Sequence, residues 1–201
     1  CSEDEKNSVL QFVKENNPQS LPTVYGIGGN NTTSILESIK SADFSGVDAL
    51  LSVSPYYNKP SQEGIYQHFV AIADQSPVPV ILYNVPGRTS SNMSAQTTLR
   101  LAEHKNIIGI KEASGNMEQC LEIAKHMPRD FLLISGDDMW TLAVYALGGK
   151  GVISVLANAY PLVFRGIKEH ALAGQFSKAA KEQLKLFEIN APMYAEGNPV
   201  G

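Results

Sequence analysis

Short apolar segments rich in β-branched residues alternate with helical patterns along this chain. The interiors of these segments are nearly continuous apolar runs, which are typical of strands covered on both faces. Strands are predicted at 22–28, 49–55, 79–86, 107–113, 131–136 and 151–157. Helices are predicted at 33–44, 62–74, 95–104, 117–126, 139–147 and 162–173. Strict alternation of strand and helix requires right-handed crossovers, and it therefore predicts an α/β fold with a parallel sheet.

Both ends of the chain add a helix to this alternation. Ser2 and Glu5 form a capping-box pattern ahead of apolar residues, which predicts that a helix begins at the start of the chain. Residues 175–190 carry a helical pattern that no strand precedes.

Two architectures fit a parallel sheet, an open doubly wound sheet and a closed (β/α)8 TIM barrel. A barrel typically needs about 250 residues, whereas this chain has 201 and begins at Cys1 rather than Met. We therefore expect the first two βα units to precede Cys1 and further helices to follow Gly201. On this interpretation residues 1–174 are strands 3–8 of a partial TIM barrel, and residues 175–201 begin a C-terminal helical extension.

Composition excludes several classes of function. A net charge of −4 gives no general attraction to nucleic acid or to anionic membranes, and the apolar runs are too short for a membrane span. The two cysteines make no CxxC pair, which favours a reducing cytoplasm over a disulfide framework. The four histidines lack metal-binding spacing, so we expect no metal site and expect them on the surface: His68, His104, His126 and His170.

Lys111 is the residue that most clearly indicates chemistry. It lies near the carboxyl end of the strand at 107–113, and alternation places it on one face with Ile107 and Gly109. Burial there would favour the neutral amine, which is a nucleophile toward carbonyl carbon. Barrel enzymes carry their active sites at this end of the strands. The alternative is a lysine that extends to solvent past the end of the strand.

Two further side chains are predicted at the same end of the sheet. Tyr83 ends the strand before that of Lys111, where its phenol could transfer protons or could simply pack and form a hydrogen bond. Arg88 follows in a loop, where it could hold a substrate carboxylate or remain a solvated surface residue.

The loops after the other strands carry aromatic and acidic residues. Tyr56 and Tyr57 are adjacent in a loop bounded by prolines, which predicts that they pack in a site or in a subunit interface. Gly136 would let a ligand approach the backbone closely. Asp137 and Asp138 are predicted to cap the helix that follows them rather than to bind a metal ion.

Five segments taken together resemble the dihydrodipicolinate synthase family of pyruvate-dependent class I aldolases. The resemblance is co-linear over essentially the whole chain, and it rests on residues 54–69, 83–89, 107–113, 135–138 and 149–154. It implies condensation of pyruvate with L-aspartate 4-semialdehyde, which gives 4-hydroxy-tetrahydrodipicolinate for lysine and diaminopimelate biosynthesis. It implies no cofactor, because the covalent imine between the lysine and pyruvate activates the substrate.

The resemblance also assigns roles to particular residues. Lys111 would form the imine, Tyr83 would shuttle protons, and Arg88 would bind the carboxylate of the semialdehyde. Gly136 and Ile153 match positions that line the pyruvate pocket.

Two features of the resemblance concern assembly and regulation. Tyr57 matches a tyrosine that enters the site of a neighbouring subunit, which implies a homodimer or homotetramer. Asn30 and Tyr56 match an interface pocket that binds inhibitory lysine, with Glu3, Lys6 and Ser34 at its other positions. Ser34 replaces an acidic residue, so we expect weak or absent inhibition in an assay with lysine.

Two other functions stay open on the sequence alone. A sibling aldolase or lyase for a sugar acid would share Lys111 and Tyr83 and would differ at Arg88. A non-catalytic binding barrel is the other alternative, because the family's Gly-Thr-Thr-Gly-Glu loop is expected before Cys1 and not within these 201 residues.

Overall fold

The structure is a computed structural model that describes residues 2–197, apart from the side chain of Glu3. Cys1, the predicted regulatory side chain of Glu3, and residues 198–201 of the predicted extension lie outside the described residues.

Six parallel strands form one sheet whose spatial order follows the order of the chain. A doubly wound sheet reverses its strand order at a switch point, and the described strands show no such reversal. The sheet therefore has the topology of consecutive strands of a (β/α)8 barrel, as the sequence predicted. The strands are β1 (Val24–Gly26), β2 (Ala49–Val53), β3 (Val80–Asn84), β4 (Ile107–Glu112), β5 (Leu132–Ser135) and β6 (Gly151–Val152).

Helices connect the strands and extend the chain at both ends. The predicted capping box is present on the first helix, where Ser2 Oγ accepts from the Glu5 backbone N–H and Glu5 Oε2 accepts from that of Ser2. The helices are α1 (Glu3–Glu15), α2 (Thr32–Ser41), α3 (Gln62–Gln75), α4 (Pro86–Thr89), α5 (Ala95–Leu101), α6 (Met117–His126), α7 (Thr141–Ala146), the 3-10 helix η1 (Leu156–Asn158), α8 (Pro161–Leu172), α9 (Phe176–Lys185) and α10 (Phe187–Met193).

The main hydrophobic core lies between one face of the sheet and a layer of helices. Strand residues of that outer face are fully buried, namely Leu50, Leu82, Ile110 and Leu133. They pack with helix residues from α3, α5 and α6, among them Phe69, Leu101 and Ile123. Because α2, α3, α5 and α6 pack side by side in chain order, they form the outer wall of a barrel.

On the opposite, inner face of the sheet, four residues on neighbouring strands are paired with one another and form a row across the sheet. Val53 pairs with Tyr83, Tyr83 with Lys111, and Lys111 with Ile134. These four side chains are only half-buried, in contrast to the outer-face residues. The strands therefore bring Tyr83 and Lys111 side by side near their carboxyl ends.

The pairing of β3 with β4 is irregular at its start, and this changes one prediction. Val80 pairs with Ile107 but Ile81 pairs with Gly109, so Ile108 is an extra residue on β4. Ile107 packs with Val80 in the core beneath the helices. The prediction that Ile107 shares a face with Lys111 is wrong, because simple alternation does not account for an inserted residue.

Three other local features differ from what the sequence predicted. Residues 175–190 form two helices, α9 and α10, that meet at Leu186, which is fully buried in a second core with Phe164 and Ile167. The strand predicted at 151–157 is short, since the chain turns into η1 after β6. Residues after β3 form the short helix α4, which the sequence did not predict.

His68 is buried, with 4% of its surface exposed, so the prediction of a surface histidine is wrong. Its position on α3 shares the helical spacing of Ile65, Phe69 and Ile72, which face the core. His68 Nδ1 is hydrogen-bonded to Thr32 Oγ1 at 2.8 Å, whereas Nε2 has no hydrogen-bond partner among the described residues. Burial lowers the pKa of His68 from 6.5 to about 4, so the ring is neutral near pH 7.

We predict that His68 makes the protein less stable in mild acid. The unfolded chain takes up the proton below about pH 6.5, whereas the folded chain resists it until about pH 4. The free energy of unfolding should therefore fall between these values by roughly 1–3 kcal/mol. Urea unfolding of the His68→Gln variant should show a smaller pH dependence than the parent. His126→Gln, at an exposed position, is the control, and an unchanged pH dependence in His68→Gln would contradict the prediction.

Candidate active site

Lys111 and Tyr83 form the centre of the site. Their strands pair directly at this level, and Lys111 Nζ lies 4.1 Å from the centroid of the Tyr83 ring. The face of an aromatic ring attracts a cation. This contact holds the amine over the phenol and favours a positive charge on that nitrogen, whether ammonium or iminium.

Two features of the surroundings of Lys111 shift the pKa of its amine in opposite directions. Burial lowers the pKa of the amine below its ordinary value, and the nearby Asp138 carboxylate raises it in part. The net effect is a lower pKa, so a larger fraction of Lys111 is neutral near pH 7 than for a solvated lysine. A neutral amine in a half-buried position is a nucleophile for a carbonyl carbon.

Tyr83 keeps its proton more firmly than a solvated tyrosine. Burial is the main cause of its raised pKa, the Arg88 charge acts in the opposite direction, and Tyr194 raises it further. The phenol therefore stays neutral near Lys111, and it can donate a hydrogen bond or pass a proton through its hydroxyl group.

Gly136 leaves room beside the stem of Lys111. A Cβ atom at this position would lie 2.6 Å from the Ala113 Cβ and 3.0 Å from the Lys111 Cγ. A side chain here would clash with Ala113 and press against Lys111, so the packing favours glycine. Ile153 is near the same level, because its N–H donates to the Ser135 carbonyl at 2.9 Å.

The sequence predicted that Asp137 and Asp138 cap the helix that follows them, and this prediction is wrong. The N-cap of α7 is Trp140, without a side-chain capping bond. Asp137 Oδ1 accepts from the Met139 N–H at 2.8 Å. Asp138 Oδ2 accepts from the N–H groups of Val155 and Leu156 at 3.3 and 2.9 Å, and so caps η1. A local sequence pattern does not predict this role, because Asp138 and η1 are far apart in sequence.

Arg88 and Tyr194 stand near the same end of the strands. Arg88 is exposed on α4, and its Nη2 donates to the Gly197 carbonyl at 3.3 Å. Tyr194 follows α10 and lines a cavity of about 450 Å³ with Gly136 and Asp137. Burial raises the pKa of Tyr194, the charges of Asp138 and Asp137 raise it further, and Arg88 acts in the opposite direction.

Tyr194 is the residue of this cluster that sequence reasoning missed. It lies outside the strand–helix repeat, in the segment after the predicted helix at 175–190. No spacing signal marks it, because only the packing of the C-terminal helices brings it toward the strand ends.

Tyr57 does not join Lys111 and Tyr83 within the chain. Its side chain is 86% exposed, and its backbone has a positive φ of 70°, which is uncommon for a residue with a side chain. Its N–H donates to the Thr89 carbonyl at 3.3 Å, which ties its loop to the end of α4.

Asn30 and Tyr56, the candidate allosteric residues, line a separate cavity of about 520 Å³ beside β1 and α2. Lys6 and Ser34 line it too, as the resemblance implied. Asn58 Nδ2 donates to the Asn30 carbonyl at 3.2 Å and joins the two loops. This cavity is larger than the one at Tyr194, and neither Lys111 nor Tyr83 lines it.

In the described part of the chain, no group of three or more His, Cys, Asp or Glu side chains is arranged to hold a metal ion. No helix within residues 2–197 is long and apolar enough to cross a membrane.

Comparison with known proteins identifies the family of the chain. The profile of the Dihydrodipicolinate synthetase family matches residues 1–201. The chain is 53% identical over 200 residues to the 4-hydroxy-tetrahydrodipicolinate synthase of Cytophaga hutchinsonii, and the match covers 100% of this chain and 67% of that protein. It therefore spans about two thirds of the length of this relative.

Solved structures agree with the comparison of sequences. Dihydrodipicolinate synthase from Aquifex aeolicus superposes with a TM-score of 0.93 at 36% identity, over 99% of this chain and 68% of that one. The chloride-inhibited enzyme from Acinetobacter baumannii, in complex with pyruvate, gives 0.93 at 37% identity, over 99% and 68% of the two chains. The chain described here belongs to the dihydrodipicolinate synthetase family.

Proposed function

We propose that this protein condenses pyruvate with L-aspartate 4-semialdehyde through a Schiff base on Lys111. The product is 4-hydroxy-tetrahydrodipicolinate, for lysine and diaminopimelate biosynthesis. The observation that carries the proposal is the half-buried amine of Lys111, held 4.1 Å above the Tyr83 ring in a chain of this family. Pyruvate bound to the Acinetobacter baumannii relative supports the choice of keto acid.

The chemistry follows from the amine and the phenol. The Lys111 nitrogen attacks the ketone carbon of pyruvate, and loss of water leaves an iminium ion. Loss of a methyl proton from the iminium gives an enamine, whose carbon attacks the aldehyde carbon of the second substrate. The amino group of that substrate then attacks the iminium carbon, which closes the ring and releases the Lys111 amine. Tyr83 moves the protons, and its ring face stabilises the iminium charge. No metal or other cofactor is needed, because the iminium is itself the electron acceptor.

Arg88 is the residue we assign to the second substrate. Its exposed guanidinium at the strand ends suits the carboxylate of aspartate semialdehyde, which an arginine can bind with two parallel hydrogen bonds. Gly136 and Ile153 line the pyruvate side of the site in this proposal. No observation on the described residues favours a sugar-acid substrate or a non-catalytic barrel.

A second copy of the chain is the partner we assign to Tyr57. Tyr57 is 86% exposed, and its backbone is held at positive φ. Backbone strain of this kind is common at functional contacts, and a neighbouring subunit would bury the ring. The assembly is then a homodimer or a homotetramer. The cytoplasmic location, which rests on the cysteine usage of the sequence, stays a prediction.

Lys111 should be the residue that reduction links to pyruvate. Full-length protein is incubated with pyruvate and sodium borohydride, digested, and analysed by mass spectrometry. We expect a carboxyethyl adduct on Lys111, at a rate that rises with pH and levels off below the ordinary lysine pKa, because burial lowers that pKa. Lys111→Arg should give no adduct, whereas Lys125→Arg, at an exposed position, should react like the parent. An adduct only on another lysine would contradict the proposal.

Arg88 should determine the affinity for the aldehyde. Arg88→Gln removes a charge-assisted contact, and we expect kcat/KM for aspartate semialdehyde to fall roughly 10- to 100-fold. The rate of pyruvate trapping should change little, since the imine forms before the aldehyde binds. Arg129→Gln, at an exposed position, is the matched control. A variant with unchanged kinetics for the semialdehyde would show that Arg88 does not bind its carboxylate.

Tyr57 should contribute both to assembly and to activity. Sedimentation velocity of full-length Tyr57→Ala should show weaker self-association than the parent, together with lower turnover. Tyr160→Ala serves as control, because Tyr160 is also exposed, at 40%. A parent protein that is fully active as a monomer would exclude this role for Tyr57.

A further inference from the structure

Glu112 is a buried carboxylate immediately after Lys111 that the proposed reaction does not use. It ends β4 and is 3% exposed. Because neighbouring residues of a strand face opposite ways, its side chain lies on the outer face while Lys111 lies on the inner face. Removing a carboxylate from water costs several kcal/mol unless donors replace the water. Its presence in this position therefore needs a physical reason.

Neutral donors surround this carboxylate. Glu112 Oε1 accepts from the Ser114 N–H at 2.7 Å, and Oε2 accepts from Gln119 Nε2 at 2.9 Å. Asn84 Nδ2 donates to both oxygens, at 3.3 and 3.0 Å. No lysine, arginine or histidine forms a salt bridge with Glu112 within residues 2–197. The donors come from β3, from α6 and from the turn between β4 and α6, so the carboxylate joins three elements.

Asn84 and Gln119 are themselves fixed by further hydrogen bonds. Asn84 is fully buried, and its Oδ1 accepts from the Met93 N–H at 3.0 Å. Gln119 Oε1 accepts from Asn92 Nδ2 at 2.9 Å, and Gln119 Nε2 also donates to the Met93 carbonyl at 3.2 Å. The segment before α5 thus holds both partners of Glu112 in place.

This network lies directly behind the reactive pair. Asn84 and Glu112 are partners in register, one residue after the partners Tyr83 and Lys111. The pairing of β3 with β4 is irregular at its other end, between Val80 and Ile81. The backbone hydrogen bonds at the amino end of this pair therefore fix the register of β3 on β4 less firmly. A buried polar contact at the carboxyl end can specify that register.

We propose that Glu112 is a positioning residue: through Asn84 and Gln119 it fixes the carboxyl ends of β3 and β4, and so sets where the Lys111 amine stands over the Tyr83 ring. The inference rests on the proposed function, because it assigns the network a role in imine formation. It extends that function to a residue on the far side of the sheet, which touches neither substrate.

The test uses the nearly isosteric Glu112→Gln change in the full-length protein. The amide turns an NH2 group toward donors, so the network must rearrange and the strand ends shift. We expect pyruvate trapping and kcat to fall about 10- to 100-fold, with KM for the semialdehyde little changed. The pH at which the trapping rate reaches half its plateau should also move, because the burial of Lys111 changes. Glu112→Asp, which keeps the charge, should recover part of the rate.

Asn106→Ala is the matched control for loss of stability. Asn106 precedes the same strand β4 at its opposite end, and its Nδ2 donates to the carbonyls of Ala73 and Ser76 at 2.8 and 3.0 Å. This variant should lose stability and keep the trapping rate and its pH midpoint. A Glu112→Gln rate equal to the parent, or an equal slowing in Asn106→Ala, would overturn the proposal.

A second variant decides the matter if Glu112→Gln does not fold. Gln119→Met removes one donor from Oε2 and leaves those of Ser114 and Asn84, so we expect a smaller loss of rate in the same direction. An unchanged rate in folded Gln119→Met would reject the positioning role. Failure of the proposed function is distinguishable, because the parent protein would then form no adduct on Lys111.

Discussion

The pairing of β3 with β4 is the constraint on which the site depends. These two strands set Tyr83 beside Lys111, and their side chains meet on the inner face with the amine 4.1 Å above the ring centroid. The outer face of the same strands is fixed by fully buried Leu82 and Ile110, which pack against the helix layer. The pair is therefore held by rigid elements rather than by loops, as the proposed covalent step on Lys111 requires.

The charge of Lys111 results from effects of opposite sign. Burial favours the neutral amine, whereas the Asp138 carboxylate and the Tyr83 ring favour the cation. This balance suits the role we propose for Lys111, in which the amine is neutral when it attacks and positive as an iminium. Asp138 also caps η1, the turn that follows Ile153. One carboxylate thus contributes both to the electrostatics of the amine and to the shape of the pocket wall.

Periodicity and strand ends predicted much of this arrangement. The six strands, their parallel order and the position of Lys111 beside Tyr83 follow from apolar runs and alternation along the chain. The burial of His68 was missed although its helical spacing with Ile65 and Ile72 indicates it. The capping of η1 by Asp138 and the approach of Tyr194 were not predictable in this way, because each depends on residues far apart in sequence.

By itself the sequence determined the α/β class of the fold with its parallel strands and singled out Lys111 as the candidate nucleophile, because these follow from local patterns of apolar and polar residues. Only the tertiary structure decided how the amine is held and how its charge is balanced. The extra residue in β4, the buried contacts of Glu112 and the charges around Tyr194 arise between segments distant along the chain. Such contacts depend on three-dimensional packing and strand register, and no repeat within one segment encodes them.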